Sequence, residues 1–232
     1  HSVVTDEATT AHITKYQDRL NKFYKDGTSN HLEHNENLDY WRILLKDLLY
    51  SSDAWKGKVF LDYGCGRGRN MLNAFILAEW GGLVGVDISK DNIEFCRRTY
   101  FQEAKMEWLK NDGSLIDLDD NSVDFAMSTI VLQHLCSHSL RLKIKKEIYR
   151  VLKKGGIFSF QMGFGGAEFT NHDYYDDFAS RVSNSESDTR VDDPSQLITD
   201  LESIGFSHGT FEVRSSYLDD QHPSWIYVRC EK

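Results

Sequence analysis

The 232-residue chain predicts an α/β fold: a seven-stranded, mostly parallel sheet with helices on both faces and a C-terminal antiparallel hairpin. Three observations predict it. Short apolar runs rich in β-branched and aromatic residues alternate with segments whose apolar residues recur three and four apart, as strand–helix units do. A turn with glycines at alternate positions, Gly64, Gly66 and Gly68, separates the first strand from the first helix after it. The last two runs, Phe206–Val213 and Trp225–Cys230, have no helical segment between them, as expected of an antiparallel pair.

Taken in order, residues 1–35 are polar, with Ile13, Tyr16, Leu20, Phe23 and Tyr24 at helical spacing. Leu38, Trp41, Leu45, Leu48 and Leu49 mark an amphipathic helix over Leu38–Tyr50. Residues 1–52 are therefore expected to be helical, as an N-terminal cap or as helices that only pack on the sheet. Val59, Phe60 and Leu61 read as a buried strand that stops at Asp62, and a helix begins with Met71 and Leu72. Leu83–Asp87 is a second strand, and Lys90–Gln102 a helix with Ile93, Phe95 and Cys96 inward. Met106–Leu109 is the third strand, followed by Asn111-Asp112-Gly113-Ser114. Val123–Met127 is the fourth. Leu140–Leu152 is an amphipathic helix with a basic outer face, and Gly155-Gly156 supplies its stop signal. Ile157–Met162 is the fifth strand. The pattern breaks from Gly163 to Asp193, too long a loop to be a plain connection. Pro194–Ile204 is a helix opened by Asp193-Pro194 and closed by Gly205.

Composition narrows the partners. The formal charge is 27 − 36 = −9, a balance that argues against a nucleic-acid partner, although a local basic patch leaves room for one. Hydrophobic residues make up 40% of the chain, enough for one sizeable core, and a single domain over 1–232 is expected. Cys65, Cys96, Cys136 and Cys230 form no CxxC pair and read as reduced, buried thiols of a cytoplasmic protein. No Cys/His spacing suggests a metal. No apolar run approaches the length of a membrane span.

Strand, glycine turn and helix together bring backbone close to a nucleotide-like ligand beside a helix N-terminus. A dinucleotide fingerprint would place its third glycine where Arg69 stands, and an acid before the first glycine is foreign to it. Asp62-Tyr-Gly64-Cys-Gly66-Arg-Gly68 instead resembles the first motif, acid-x-Gly-x-Gly-x-Gly, of the class I S-adenosylmethionine-dependent methyltransferases. Tyr149–Gly156 is similar to the "RvLkpGG" segment of the ubiquinone/menaquinone-biosynthesis-like small-molecule branch, with Lys154 in place of proline. The resemblance spans about residues 38–232. It implies a Rossmann-like sheet and S-adenosyl-L-methionine as cofactor, with S-adenosyl-L-homocysteine as product.

The cofactor-binding residues it implies are Asp62, Gly64, Cys65, Gly66, Asp87, Ile88, Asp112, Gly113 and Ser114. Asp62 would take the ammonium group, directly or through water. Asp87 lies 87 − 68 = 19 residues past the last glycine, where an acid accepts ribose hydroxyls. Its alternative is the N-cap of the next helix, a task Ser89 can also fill. Asp112 would meet the adenine amino group, the alternative being an ordinary Asp-Gly turn.

For the acceptor, His134 follows the fourth strand and titrates near neutral pH, so it is a candidate general base. The alternative is a histidine satisfied by backbone. His172 and Tyr175, with Tyr174, lie in the segment 163–193, where the resembling family builds an acceptor lid. His134, His172 and Tyr175 are the catalytic candidates. The expected partner is a small-molecule acceptor, with nucleic acid disfavoured and a homodimer allowed. Alternatives are a protein or RNA acceptor, a non-catalytic cofactor-binding protein, and a nicotinamide-dependent oxidoreductase, which Arg69 and Asp62 oppose.

Overall fold

The computed structural model describes residues 43–44, 52–111, 113, 115–166, 173–177, 189–215 and 222–232. A 3-10 turn, Ser52–Trp55, leads into β1 (Val59–Tyr63). There follow α1 (Arg69–Leu77), β2 (Gly82–Asp87), α2 (Lys90–Thr99), β3 (Met106–Lys110) and β4 (Val123–Ser128). The chain continues through α3 (His138–Val151), β5 (Leu152–Phe164), α4 (Pro194–Ile204), β6 (Ser207–Ser215) and β7 (Ser224–Glu231). The seven strands lie in the order β3-β2-β1-β4-β5-β7-β6. β1 to β5 are parallel neighbours, and β7 runs antiparallel between β5 and β6. The predicted sheet and its antiparallel C-terminal pair are present.

Strand alternation sorts the core onto two faces. Phe60, Leu83, Phe125 and Met127 pack with α1 and α2 residues such as Met71, Ala74 and Ile93. Leu61, Val84, Ala126 and Phe158 pack on the other face with Leu140, Ile144 and Ile148 of α3 and Leu197 and Leu201 of α4. Successive side chains of a strand point to opposite faces, so a two-sided core needs near-continuous apolar strands.

Two expectations are corrected here. The helix ahead of β5 ends at Val151, and β5 starts at Leu152 and runs through Gly155 and Gly156. The glycine pair therefore lies inside the strand, where Gly155 has φ +77°, and does not terminate the helix. Nor is that helix basic only on its outer face, since Arg141 and Lys145 are completely buried. By contrast α4 has the predicted bounds. Asp193 caps it through Ser195 N, Gln196 completes a capping box, and Gly205 closes it at φ +120°.

Of residues 1–52, Ile43, Leu44 and Ser52 fall among the described residues; Ile43 and Leu44 are buried, and Leu44 C=O accepts a 2.8 Å bond from Ser159 Oγ. Most of residues 1–52 and much of 163–193 lie outside the described residues.

Candidate cofactor cleft

Connections leave β1 in one direction and β4 in the other, so their carboxyl ends flank the switch point where open α/β sheets bind ligands. There the backbone turns through Gly64, Gly66 and Gly68, all at positive φ (84°, 54° and 90°). Gly64 is held to its type by space as well. A Cβ there would stand 2.1 Å from Val131 Cγ2. A cleft of about 490 Å³, mouth included, opens beside the turn. Tyr63, Gly64, Val86, Asp87, Ile88 and Gly113 line one side of it, and Val131, Leu135, Leu140 and Ile144 the other.

Asp62 sits in β1 just below the turn, fully buried, and neither carboxylate oxygen has a hydrogen-bond partner among the described residues. Burial pushes its carboxyl up to about 7, against the pull of Arg69 and with a further push from Asp87. A buried, unpartnered acid costs free energy, and together with its perturbed pKa beside the cleft it is a candidate functional group. Arg69 is half-buried at the start of α1 and close enough to act on this acid.

Asp87 is buried at the end of β2, and its two oxygens tie the site together. Oδ2 accepts from Gly66 N and Oδ1 from Ser89 N, both at 2.8 Å. Burial raises its pKa, and these two backbone bonds oppose the rise. Ser89 is the N-cap of α2, accepting from Asn92 N at 3.2 Å. Asp87 thus locks the glycine turn onto the head of α2 and keeps one lone pair on each oxygen for a ligand.

The other expected residues divide. Ile88 and Gly113 line the cleft beside Asp87. Gly113 has φ +84° and donates to Asn111 Oδ1 at 2.7 Å, which also accepts from Tyr63 Oη at 3.2 Å. Cys65 turns its side chain under the turn, where its Sγ and that of Cys96 approach Gly66 O at 3.7 and 3.5 Å. Only its backbone stays with the turn, Cys65 N donating to Val86 O. Asp112, Ser114 and His172 lie outside the described residues. His134 ends a short 3-10 turn, Leu132–His134, half-buried, and is not among the residues lining the cleft. Tyr175 is 55% exposed, its ring edge-on to His138 at 5.0 Å. Among the described residues no group of three His, Cys, Asp or Glu side chains is placed to hold a metal ion.

Sequence reasoning singled out His134 after the fourth strand but not the apolar residues Val131, Leu135, Leu140 and Ile144 that form the far wall. Ser128–Leu135 crosses from β4 to α3 and is pinned at several points. Ser128 Oγ donates to Tyr63 O at 2.8 Å, Asn70 Nδ2 to Thr129 Oγ1 at 2.8 Å, and Ile130 N to Gln161 Oε1 at 2.8 Å. Ile130 takes φ +53°, a costly conformation for a β-branched residue that persists only where surroundings enforce it. Ordinary residue types build this wall, so no motif announces it.

Residues 61–160 match the family model described as a methyltransferase domain. The matched segment is less than half of the chain. Over 102 residues, 44% of the chain, it is 34% identical to a tRNA (carboxymethyluridine(34)-5-O)-methyltransferase of Arabidopsis thaliana, covering 23% of that protein. It is 31% identical over 113 residues, 45% of the chain, to the chloroplastic 2-phytyl-1,4-beta-naphthoquinone methyltransferase of the same plant, covering 41% of it. The chain therefore spans less than half the length of these curated relatives. A solved SAM-dependent methyltransferase from Methanosarcina mazei superposes with a TM-score of 0.61 at 19% identity, over 76% of this chain and 93% of that one. That likeness is one of fold. The match to the methyltransferase domain runs from within β1 to within β5, and so includes Asp62, the glycine turn, Asp87 and the far wall of the cleft.

Proposed function

We propose that the chain is an S-adenosylmethionine-dependent methyltransferase that acts on an oxygen or nitrogen atom of a small metabolite. The observation that carries the reading is Asp62: a buried carboxyl without a partner among the described residues, beneath a glycine turn, in a methyltransferase domain. An ammonium group is the complement such a carboxyl lacks. When bound, the cofactor supplies a methyl group on a sulfonium, ready for in-line displacement.

The chain's residues then bind, align and exclude water, which is most of what such a transfer requires of a protein. Asp62, ionised, accepts from the ammonium group. Gly64, Cys65 and Gly66 bring bare backbone alongside. Asp87 uses its remaining lone pairs for ribose hydroxyls. Ile88 and Gly113 flank the base, with Asp112 and Ser114 assigned to its polar edge. Val131, Leu135, Leu140 and Ile144 keep the opposite side dry. His134 would serve as base for a hydroxyl acceptor, whereas a neutral amine needs none. His172 and Tyr175 are assigned to acceptor orientation, residues 163–193 to an acceptor lid, and residues 1–52 to a cap.

The charge of −9 supports a small acceptor over a nucleic acid, and four free, buried thiols suit a cytoplasmic setting. No helix among the described residues is long and apolar enough to cross a membrane. An RNA acceptor is the second reading, favoured by the tRNA methyltransferase among the relatives. Calorimetric titration with S-adenosylmethionine, S-adenosylhomocysteine and NADH tests the proposal, repeated on Asp62→Asn and Asp87→Asn. Binding of the two sulfur ligands and not NADH, weakened in both variants, is the expected result. Absence of binding by either sulfur ligand would overturn it.

A further inference from the structure

Arg141 has no part in the transfer just described, yet it is completely buried in α3. A guanidinium is hard to bury without partners, and here both Nη atoms find them, while Nε has none among the described residues. Nη1 donates to the carbonyl of Leu135, in the far wall of the cleft, and to Thr189 Oγ1 at 3.3 Å. Nη2 donates to the carbonyl of Tyr174, whose ring lies 5.0 Å from the guanidinium carbon. Tyr174 and Thr189 both belong to the stretch between β5 and α4. One side chain therefore joins two points of that stretch to the wall of the cleft.

The neighbouring bonds make the joint specific. Thr189 N donates to Gln133 O at 2.7 Å, and Gln161 Nε2 donates to Gln133 Oε1 at 3.2 Å. Gln161 is the residue that holds strained Ile130. Lys145, one turn along α3, donates to Tyr174 Oη at 2.9 Å, and Tyr174 Oη donates to Asp200 of α4. Lys145 and Asp200 therefore seat the Tyr174 ring, but only Arg141 among these charged groups also reaches the wall.

We propose that Arg141 is a positioning residue that joins the β5–α4 stretch to the wall of the cofactor cleft and transmits occupancy of the cleft to Asp173–Asp177. The transmission rests on the methyltransferase reading; the joint does not.

Hydrogen-exchange mass spectrometry on the whole chain tests both, using wild type, Arg141→Met and Tyr174→Phe, with and without saturating S-adenosylhomocysteine. Without ligand, Arg141→Met is expected to speed exchange at Leu132–Cys136 and Asp173–Asp177 together, by roughly tenfold or more, while β1 and β2 keep their rates. Tyr174→Phe keeps the carbonyl that Arg141 uses and is expected to leave Leu132–Cys136 unchanged. Added S-adenosylhomocysteine should slow Asp173–Asp177 in wild type but not in Arg141→Met, while protecting Gly64–Gly68 in both.

Acceleration of one segment alone, or of the whole sheet with them, would overturn the joint. Wild type that binds S-adenosylhomocysteine without slowing at Asp173–Asp177 would overturn the transmission. If wild type fails to bind it, the methyltransferase reading and the transmission fall, and the ligand-free comparison still decides the joint. If Arg141→Met does not fold, Thr189→Val replaces it, and the same two outcomes are read at Leu132–Cys136 and Thr189–Val191.

Discussion

Asp62 is where binding and stability conflict most directly. The unfolded chain releases this proton near 3.8, and the folded chain keeps it to about 7. Between those values the folded state holds the extra proton, so stability falls as pH rises through the window. Above it the ionised acid is a standing penalty. Asp62→Asn removes the charge, so the variant should be more stable than wild type at pH 8 in urea unfolding. That advantage should disappear below about pH 4. The same change should weaken S-adenosylmethionine binding by about 1.5–3 kcal/mol, the worth of a hydrogen bond to a charged group, or roughly ten- to hundredfold. In wild type, affinity should rise with pH up to about 7 and then level off, read by titration at several pH values.

At the level of elements, the site depends on the heads of helices more than on their bodies. Ser89 caps α2 while its backbone N–H bonds Asp87, which in turn holds Gly66. Ser89→Ala should cost about 1 kcal/mol of stability, seen as a lower urea midpoint, with a smaller effect on ligand binding because Asp87 keeps its backbone donors. Helix ends were legible where capping chemistry is local. Asp193, Pro194 and Gly205 bound α4 as predicted because each acts on backbone within a turn of itself. The end of α3 was not legible, because Leu152 already pairs with Val123 of β4 and Gly155-Gly156 fall in the register shift before Ile157 pairs with Phe125, so tertiary pairing overrides the local signal. Burial of Arg141 and Lys145 was not legible for a similar reason, since a helical pattern alone does not reveal that Tyr174, Thr189 and Asp200, far along the chain, cover its basic side.

Across the whole molecule, the two faces of the sheet share one stability. Phe125, completely buried in β4, stacks on Phe60 at 5.9 Å and meets Trp55 edge-on at 5.3 Å. Phe125→Ala should cost about 3–5 kcal/mol, a large part of the roughly 5–15 kcal/mol that a domain holds. The urea midpoint should fall with the slope unchanged, because the surface exposed on unfolding is nearly the same. Since β4 also carries the far wall of the cleft, loss of ligand binding should follow the unfolded fraction.

The sequence alone determined the strand–helix order, the antiparallel C-terminal pair, the glycine turn, and Asp62 and Asp87 as the acids beside it. These follow from periodicity, backbone freedom and spacing, all of which act within a few residues. Tertiary structure alone decided that Asp62 has no partner among the described residues, that Cys65 faces away from the cleft, that Val131 to Ile144 close its far side, and that Arg141 links that side to Tyr174. Each of those facts depends on groups far apart in the chain, and long-range packing leaves no local pattern to read.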